Sequence, residues 1–236
     1  MEPHPIDLPT SRVLPNLPAS TKLGLPPPPP PELTLSLDSW VLARLLEIGL
    51  GEGEAEASLE MIPQGIRRAL PPIVIERMAA GQLPATGFGL GGEIGWGKTF
   101  TLAALIRASL LKVAEFRRET VDHVSTVAWA CWPVDKAVRG TLDQSRERLE
   151  HLANAPLLVL DDLGRERLKG SYGDDWSRSC LDVIVTQRCR RRLPILWTTN
   201  CSFQELLGIY GPGLVSRLSE INPFLRLEGL RNLRRV

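Results

Sequence analysis

The chain has 236 residues, with 28 basic and 27 acidic side chains and a formal net charge of +1, which excludes a densely basic nucleic-acid-binding chain. The charge is uneven: residues 1–62 hold nine acidic and three basic side chains, leaving +7 for the remainder, a balance compatible with nucleic acid. No apolar run reaches the length of a membrane span, the acidic, proline-rich N-terminus is no signal peptide, and Cys131, Cys180, Cys189 and Cys201 lack zinc spacing. A cytoplasmic protein with reduced thiols and no membrane partner is expected.

Prolines at positions 3, 5, 9, 15 and 18 precede the unbroken run Pro26 to Pro31. Such a segment cannot donate backbone hydrogen bonds and favours an extended, solvated conformation without a core. It reads as a stiff tether, or as a docking peptide for an aromatic groove. Next, Trp40, Val41, Leu42, Leu45, Leu46 and Ile48 predict a short helix, which Gly51-Glu52-Gly53-Glu54 interrupts. Residues 1–62 therefore read as an acidic, largely disordered extension, and residues 63–236 as the folded domain.

Thr86 to Leu90 predicts a short strand, weakened by its glycines. It feeds Gly92-Glu93-Ile94-Gly95-Trp96-Gly97-Lys98-Thr99, a full match to the phosphate-loop pattern G-x-x-x-x-G-K-[ST]. Glycines let the backbone wrap a polyphosphate with its N–H groups inward; the lysine reaches the β- and γ-phosphates, and the hydroxyl ligates Mg²⁺. Leu102, Leu105, Ile106, Leu110 and Val113 follow at helical spacing, so a helix N-terminus adds its dipole to the anion site. Residues Gly92 through Thr99, with Phe100, are the candidate ATP contacts.

Beyond this, strands and helices alternate, as in a parallel sheet sandwiched by helices. Strands are predicted at 124–132, 156–160 and 194–199, and helices at 134–153 and 180–191. Leu157 to Leu160 is wholly apolar, as in a strand buried on both faces, and ends in Asp161 and Asp162. Open α/β sheets place ligands at such C-terminal strand ends. Asp161 is the candidate Mg²⁺ ligand and Asp162 the candidate group that orients or deprotonates the attacking water. Asn200 follows the next strand. Ser202-Phe203-Gln204-Glu205 is a capping box that caps the following helix, leaving Asn200 to face the γ-phosphate. Arg217 follows at a distance that suits a trans-acting arginine facing the γ-phosphate of a neighbouring subunit, or is a surface arginine on a helix. Arg188, Arg190, Arg191 and Arg192 form a basic cluster, either a solvated helix face or a DNA contact.

Val159-Leu160-Asp161-Asp162-Leu163-Gly164, Thr198-Thr199-Asn200 and Val215-Ser216-Arg217-Leu218 follow the phosphate loop in an order that resembles the DnaC/IstB group of AAA+ ATPases, over roughly residues 63–236. The resemblance implies a P-loop NTPase three-layer α/β fold. Lys98 and Thr99 would be the Walker A groups, Asp161 and Asp162 the Walker B pair, Asn200 sensor 1 and Arg217 the arginine finger. Only 19 residues follow Arg217, so no C-terminal helical lid is expected. It further implies an ATP-dependent homo-oligomer that binds single-stranded DNA and loads a hexameric replicative helicase in DNA replication; the alternative client is a transposase. A non-catalytic nucleotide-binding adaptor is the third reading, since Glu93 and Trp96 are unusual in a phosphate loop. Gly213 stands where related loaders often carry a second arginine.

Overall fold

The computed structural model describes residues 37–47, 50–116, 127–131, 142–164 and 172–233. The proline-rich arm lies outside the described residues, as do parts of the strand expected at 124–132 and of the helix expected at 134–153.

Five parallel strands form one sheet: β1 (Phe88–Gly91), β2 (Val127–Cys131), β3 (Leu157–Leu163), β4 (Ile195–Thr199) and β5 (Phe224–Arg226), in the order β2-β3-β4-β1-β5. Alternate residues of β3 explain the layers. Leu157 and Val159 join one cluster, with Leu102, Leu105 and Ile106 of helix α5 (Lys98–Phe116). Leu158 and Leu160 join the other, with Leu181, Ile184 and Val185 of α7 (Tyr172–Arg191). Both faces are covered, which is why the strand reads as a continuous apolar run. Helices α8 (Phe203–Tyr210) and α9 (Pro212–Glu220) complete the second layer through Leu206, Leu214 and Val215. The capping box is formed: Ser202 Oγ accepts from the Glu205 N–H, and the Glu205 carboxylate accepts from the Ser202 N–H at 2.7 Å.

Described residues ahead of position 63 share a core with the helices that follow it. Val41 and Leu45 of α1 (Leu37–Glu47) and Ala55 are fully buried in the same cluster as α5. The segment read as an interruption is a helical turn, α2 (Glu52–Ala55), with Gly51 at its N-cap and two glutamates in its first turn. Helices α3 (Gln64–Ala69) and α4 (Pro72–Ala79) continue this layer, with Ile66, Val74 and Met78 buried. Among the described residues no helix is long and apolar enough to cross a membrane, and no α-helix follows β5.

The glycines of β1 have a packing cause. A Cβ on Gly89 would lie 2.1 Å from the Trp197 indole, which is fully buried and stacked on Phe224 at 5.3 Å. The side-chain-free strand makes room for that ring. Arg188 is also fully buried and is no surface cation: its guanidinium donates to the carbonyls of Leu152, Ala155 and Pro194 at 2.7–2.8 Å. It joins the end of α6 (Leu142–Asn154) to the start of β4. Burial lowers its pKa to about 10. Arg190, Arg191 and Arg192 remain exposed.

Candidate nucleotide-binding site

The loop after β1 enters α5 at Lys98, with Gly95 and Gly97 at φ +87° and +84°. L-residues rarely adopt such angles, so these two positions need glycine. Lys98 is nearly buried; its Nζ donates to the carbonyls of Gly92 (2.7 Å) and Glu93 (2.8 Å) and to Asn200 Oδ1 (2.7 Å). The two unusual loop residues are both accommodated. The Glu93 side chain is exposed, and the buried Trp96 ring packs over Gly92, where a Cβ would meet it at 2.7 Å. Ile94 is also exposed, and Phe100 is half-buried on the first turn of α5.

Thr99 brings the two motifs together. Its Oγ1 donates to Asp161, 3.0 and 3.1 Å from the two carboxylate oxygens. Thr198 of β4 also donates to Asp161, and its Oγ1 accepts from the Asp162 N–H at 2.8 Å. Burial raises the Asp161 pKa; the hydroxyls of Thr198 and Thr99 oppose this, the neighbouring Asp162 adds to it, and Lys98 offsets part. A hydroxyl against a carboxylate is an all-oxygen donor set that fits Mg²⁺, which takes one or two carboxylates and completes its shell with phosphate and water. Among the described residues no cluster of three or more His, Cys, Asp or Glu side chains is placed to hold a metal by itself.

The strand does not end at Leu160, as the apolar run suggests; β3 continues to Leu163 through a register shift against β4. Asp162 sits in that irregularity at φ +62°. Such bulges re-aim side chains, and a left-handed aspartate beside a ligand site is a functional signal. Its carboxylate accepts from Asn200 Nδ2, so Asn200 bridges Lys98 and Asp162. A cavity of about 390 Å³ adjoins this bridge, lined by Gly92, Glu93, Trp96, Asn200, Phe224 and Arg226, among others.

Lys98, Thr99, Asp161, Asp162 and Asn200 therefore form one connected cluster. Arg217 is not part of it: its Nη2 is 2.5 Å from Asp182 Oδ1 on α7. Sequence reasoning quoted Thr198 and Thr199 with Asn200 but gave the two threonines no role of their own. The latter hydroxyl donates to the Leu163 carbonyl at 2.6 Å, pinning the bulge. Two adjacent threonines just before Asn200 were the available signal. It also missed Asn232 and Leu233, which cover the phosphate loop from behind (Asn232 Nδ2 to Ile94 O, 3.2 Å; Leu233 N to Gly95 O, 2.9 Å). No motif marks these two.

No family model matches the chain. The replicative helicase loader DnaI of Bacillus subtilis (strain 168) is 27% identical over 121 residues, covering 51% of this chain and 35% of the relative, about a third of its length. The crystal structure of the DnaC helicase loader aligns at TM-score 0.57, 24% identical, over 75% of this chain and all of that one. The replication initiator DnaA bound to AMPPCP and single-stranded DNA aligns at TM-score 0.54, 21% identical, over 76% of this chain and 52% of that one. The two structural likenesses establish a shared P-loop α/β fold.

Proposed function

We propose that this chain, similar in part of its sequence to one helicase loader and in fold to others, is a DnaC-like cytoplasmic AAA+ ATPase that loads a hexameric replicative helicase onto single-stranded DNA during replication. The observation that carries the reading is the meeting of Thr99 and Asp161, 62 residues apart, beside the Lys98–Asn200 contact. A phosphate loop whose hydroxyl touches a strand-end carboxylate has the donors that a nucleoside triphosphate with Mg²⁺ requires.

In this reading the loop N–H groups and Lys98 hold the β- and γ-phosphates, while Thr99 and Asp161 hold Mg²⁺. The ion, when bound, neutralises charge developing on the phosphate oxygens. Asp162 orients the lytic water and accepts its proton. Asn200 links that carboxylate to Lys98, so that the base and the phosphate clamp keep one geometry. Catalysis is then positioning and charge stabilisation without a covalent enzyme intermediate. Arg217 of one subunit completes the site of the next, which makes turnover dependent on homo-oligomer assembly. The similar proteins, a helicase loader and an initiator bound to AMPPCP and single-stranded DNA, support the choice of nucleotide, client and DNA.

The test is calorimetric titration with ATP–Mg²⁺, followed by phosphate release with and without single-stranded DNA and a hexameric replicative helicase. Binding that Lys98→Ala abolishes, with turnover raised by those partners, is the expected result. Absence of ATP binding by the wild-type chain would overturn the reading.

A further inference from the structure

Arg217 lies in the last turn of α9, whose Leu214, Val215 and Leu218 are buried. That packing leaves Arg217 at the edge of the layer, its side chain 40% exposed, and Asp182 beside it 45% exposed. Two contacts hold the residue there. Its Nη2 is 2.5 Å from Asp182 Oδ1. The Cys189 thiol donates to its backbone carbonyl at 2.9 Å. Its Nε is buried and has no hydrogen-bond partner among the described residues. One carboxylate thus holds the tip of the side chain.

On the side of Gly213 the tip has open space. A Cβ on Gly213, one turn earlier, would stand 3.8 Å from Arg217 Nη2 and meet nothing nearer. No second arginine shares the position, so placement of the charge falls to Asp182. Exposed ion pairs contribute little to folding stability, because solvent screens them and the side chains lose freedom. The effect of this pair is on geometry. An arginine carries large rotamer entropy, and a guanidinium ordered before it meets an anion loses less on docking.

We propose that Asp182 is a positioning residue for Arg217, holding the guanidinium extended from α9 so that it meets the γ-phosphate bound in a neighbouring subunit. This rests on the trans-acting role given to Arg217 above, and the test separates the two. Lys98→Ala protein has a dead site but presents Arg217; Arg217→Ala protein keeps its site but lacks the finger. Each alone should be inactive, and their mixture should turn ATP over at mixed interfaces. With saturating Lys98→Ala/Asp182→Ala donor, kcat should fall about tenfold while KM for ATP stays within about twofold, because KM belongs to the other subunit. Asp182→Glu in the donor should recover part of the rate.

A parent mixture without turnover overturns the trans-acting role of Arg217, and the inference with it. Equal rescue by the Asp182→Ala donor overturns the role of Asp182 alone. A faster rate would mean that Asp182 restrains the finger, which also overturns the proposal. Melting curves of the donors check folding; should Asp182→Ala melt early, Asp182→Asn, which keeps shape and loses charge, decides on the same readout.

Discussion

Lys98 and Asn200, 102 residues apart in sequence, are joined by a hydrogen bond of 2.7 Å between Nζ and Oδ1. The other end of the Asn200 carboxamide donates to Asp162, so one side chain spans the phosphate clamp and the candidate base. Asn200→Ala cuts both links and leaves the loop carbonyls of Gly92 and Glu93 to hold the lysine. ATP affinity should change less than tenfold, while kcat falls by roughly 10², the usual cost of losing one aligned active-site dipole. Calorimetry and steady-state phosphate release measure the two separately. A purely binding defect would sink the assignment.

The adjacent aspartates should separate in the same assays. Asp161 is buried against Thr99 and Thr198, whereas Asp162 is half-exposed with Asn200. Asp161→Asn should make nucleotide affinity insensitive to Mg²⁺, because the carboxylate of the metal pair is gone. Asp162→Asn should keep Mg²⁺-dependent binding and lose turnover. Titrations with Mg²⁺ and with EDTA check both, and the opposite pattern would exchange the two roles.

What was legible in the sequence had local, periodic or motif form. The phosphate loop, the apolar β3 run and the capping box each declare themselves within eight residues, and the structure has all three. The bulge at Asp162 was invisible, because its cause is a cross-strand bond between Thr199 and the Leu163 carbonyl. The attachment of α1 and α2 to α5 was hidden for a similar reason: glycines and glutamates on the outer side of that segment mask the few residues that face inward. Arg188 looked like one of four surface cations, and only the converging carbonyls of three segments reveal it as a buried joint.

That joint yields a stability prediction. Arg188→Ala leaves the Leu152, Ala155 and Pro194 carbonyls without their buried donor. Unsatisfied buried groups cost about 1–3 kcal/mol each, so a loss of roughly 3 kcal/mol or more is expected in urea denaturation. Arg190→Ala and Arg191→Ala, on exposed positions, should stay within about 0.5 kcal/mol. An unchanged midpoint for Arg188→Ala would contradict its burial.

Gly89→Ala tests the packing of β1 directly. The added methyl would stand 2.1 Å from an indole that is fully buried and stacked on Phe224, so ring or strand must shift. Overpacking of this kind costs about 1–3 kcal/mol. Because β1 leads into the phosphate loop, ATP affinity should fall along with the denaturation midpoint. Stability unchanged by the substitution would mean that Trp197 has somewhere else to go.

The last prediction concerns the reverse side of the loop. Asn232 and Leu233 hold the carbonyls of Ile94 and Gly95, two residues that no strand or helix constrains. Gly95 is at φ +87°, and a Cβ there would fall 2.2 Å from the Asn232 side chain, so the strap lies directly against the turn. A hydrogen bond of this type is worth about 0.5–1.5 kcal/mol net, which converts to an affinity change of about 2- to 12-fold. Asn232→Ala should weaken ATP binding within that range and leave the melting temperature of the nucleotide-free protein nearly unchanged, because the contact to the loop is exposed. The expected signature is therefore a higher Kd with kcat at saturation preserved. A fall in kcat at unchanged Kd would show instead that the segment acts on the chemistry and not on the shape of the empty loop.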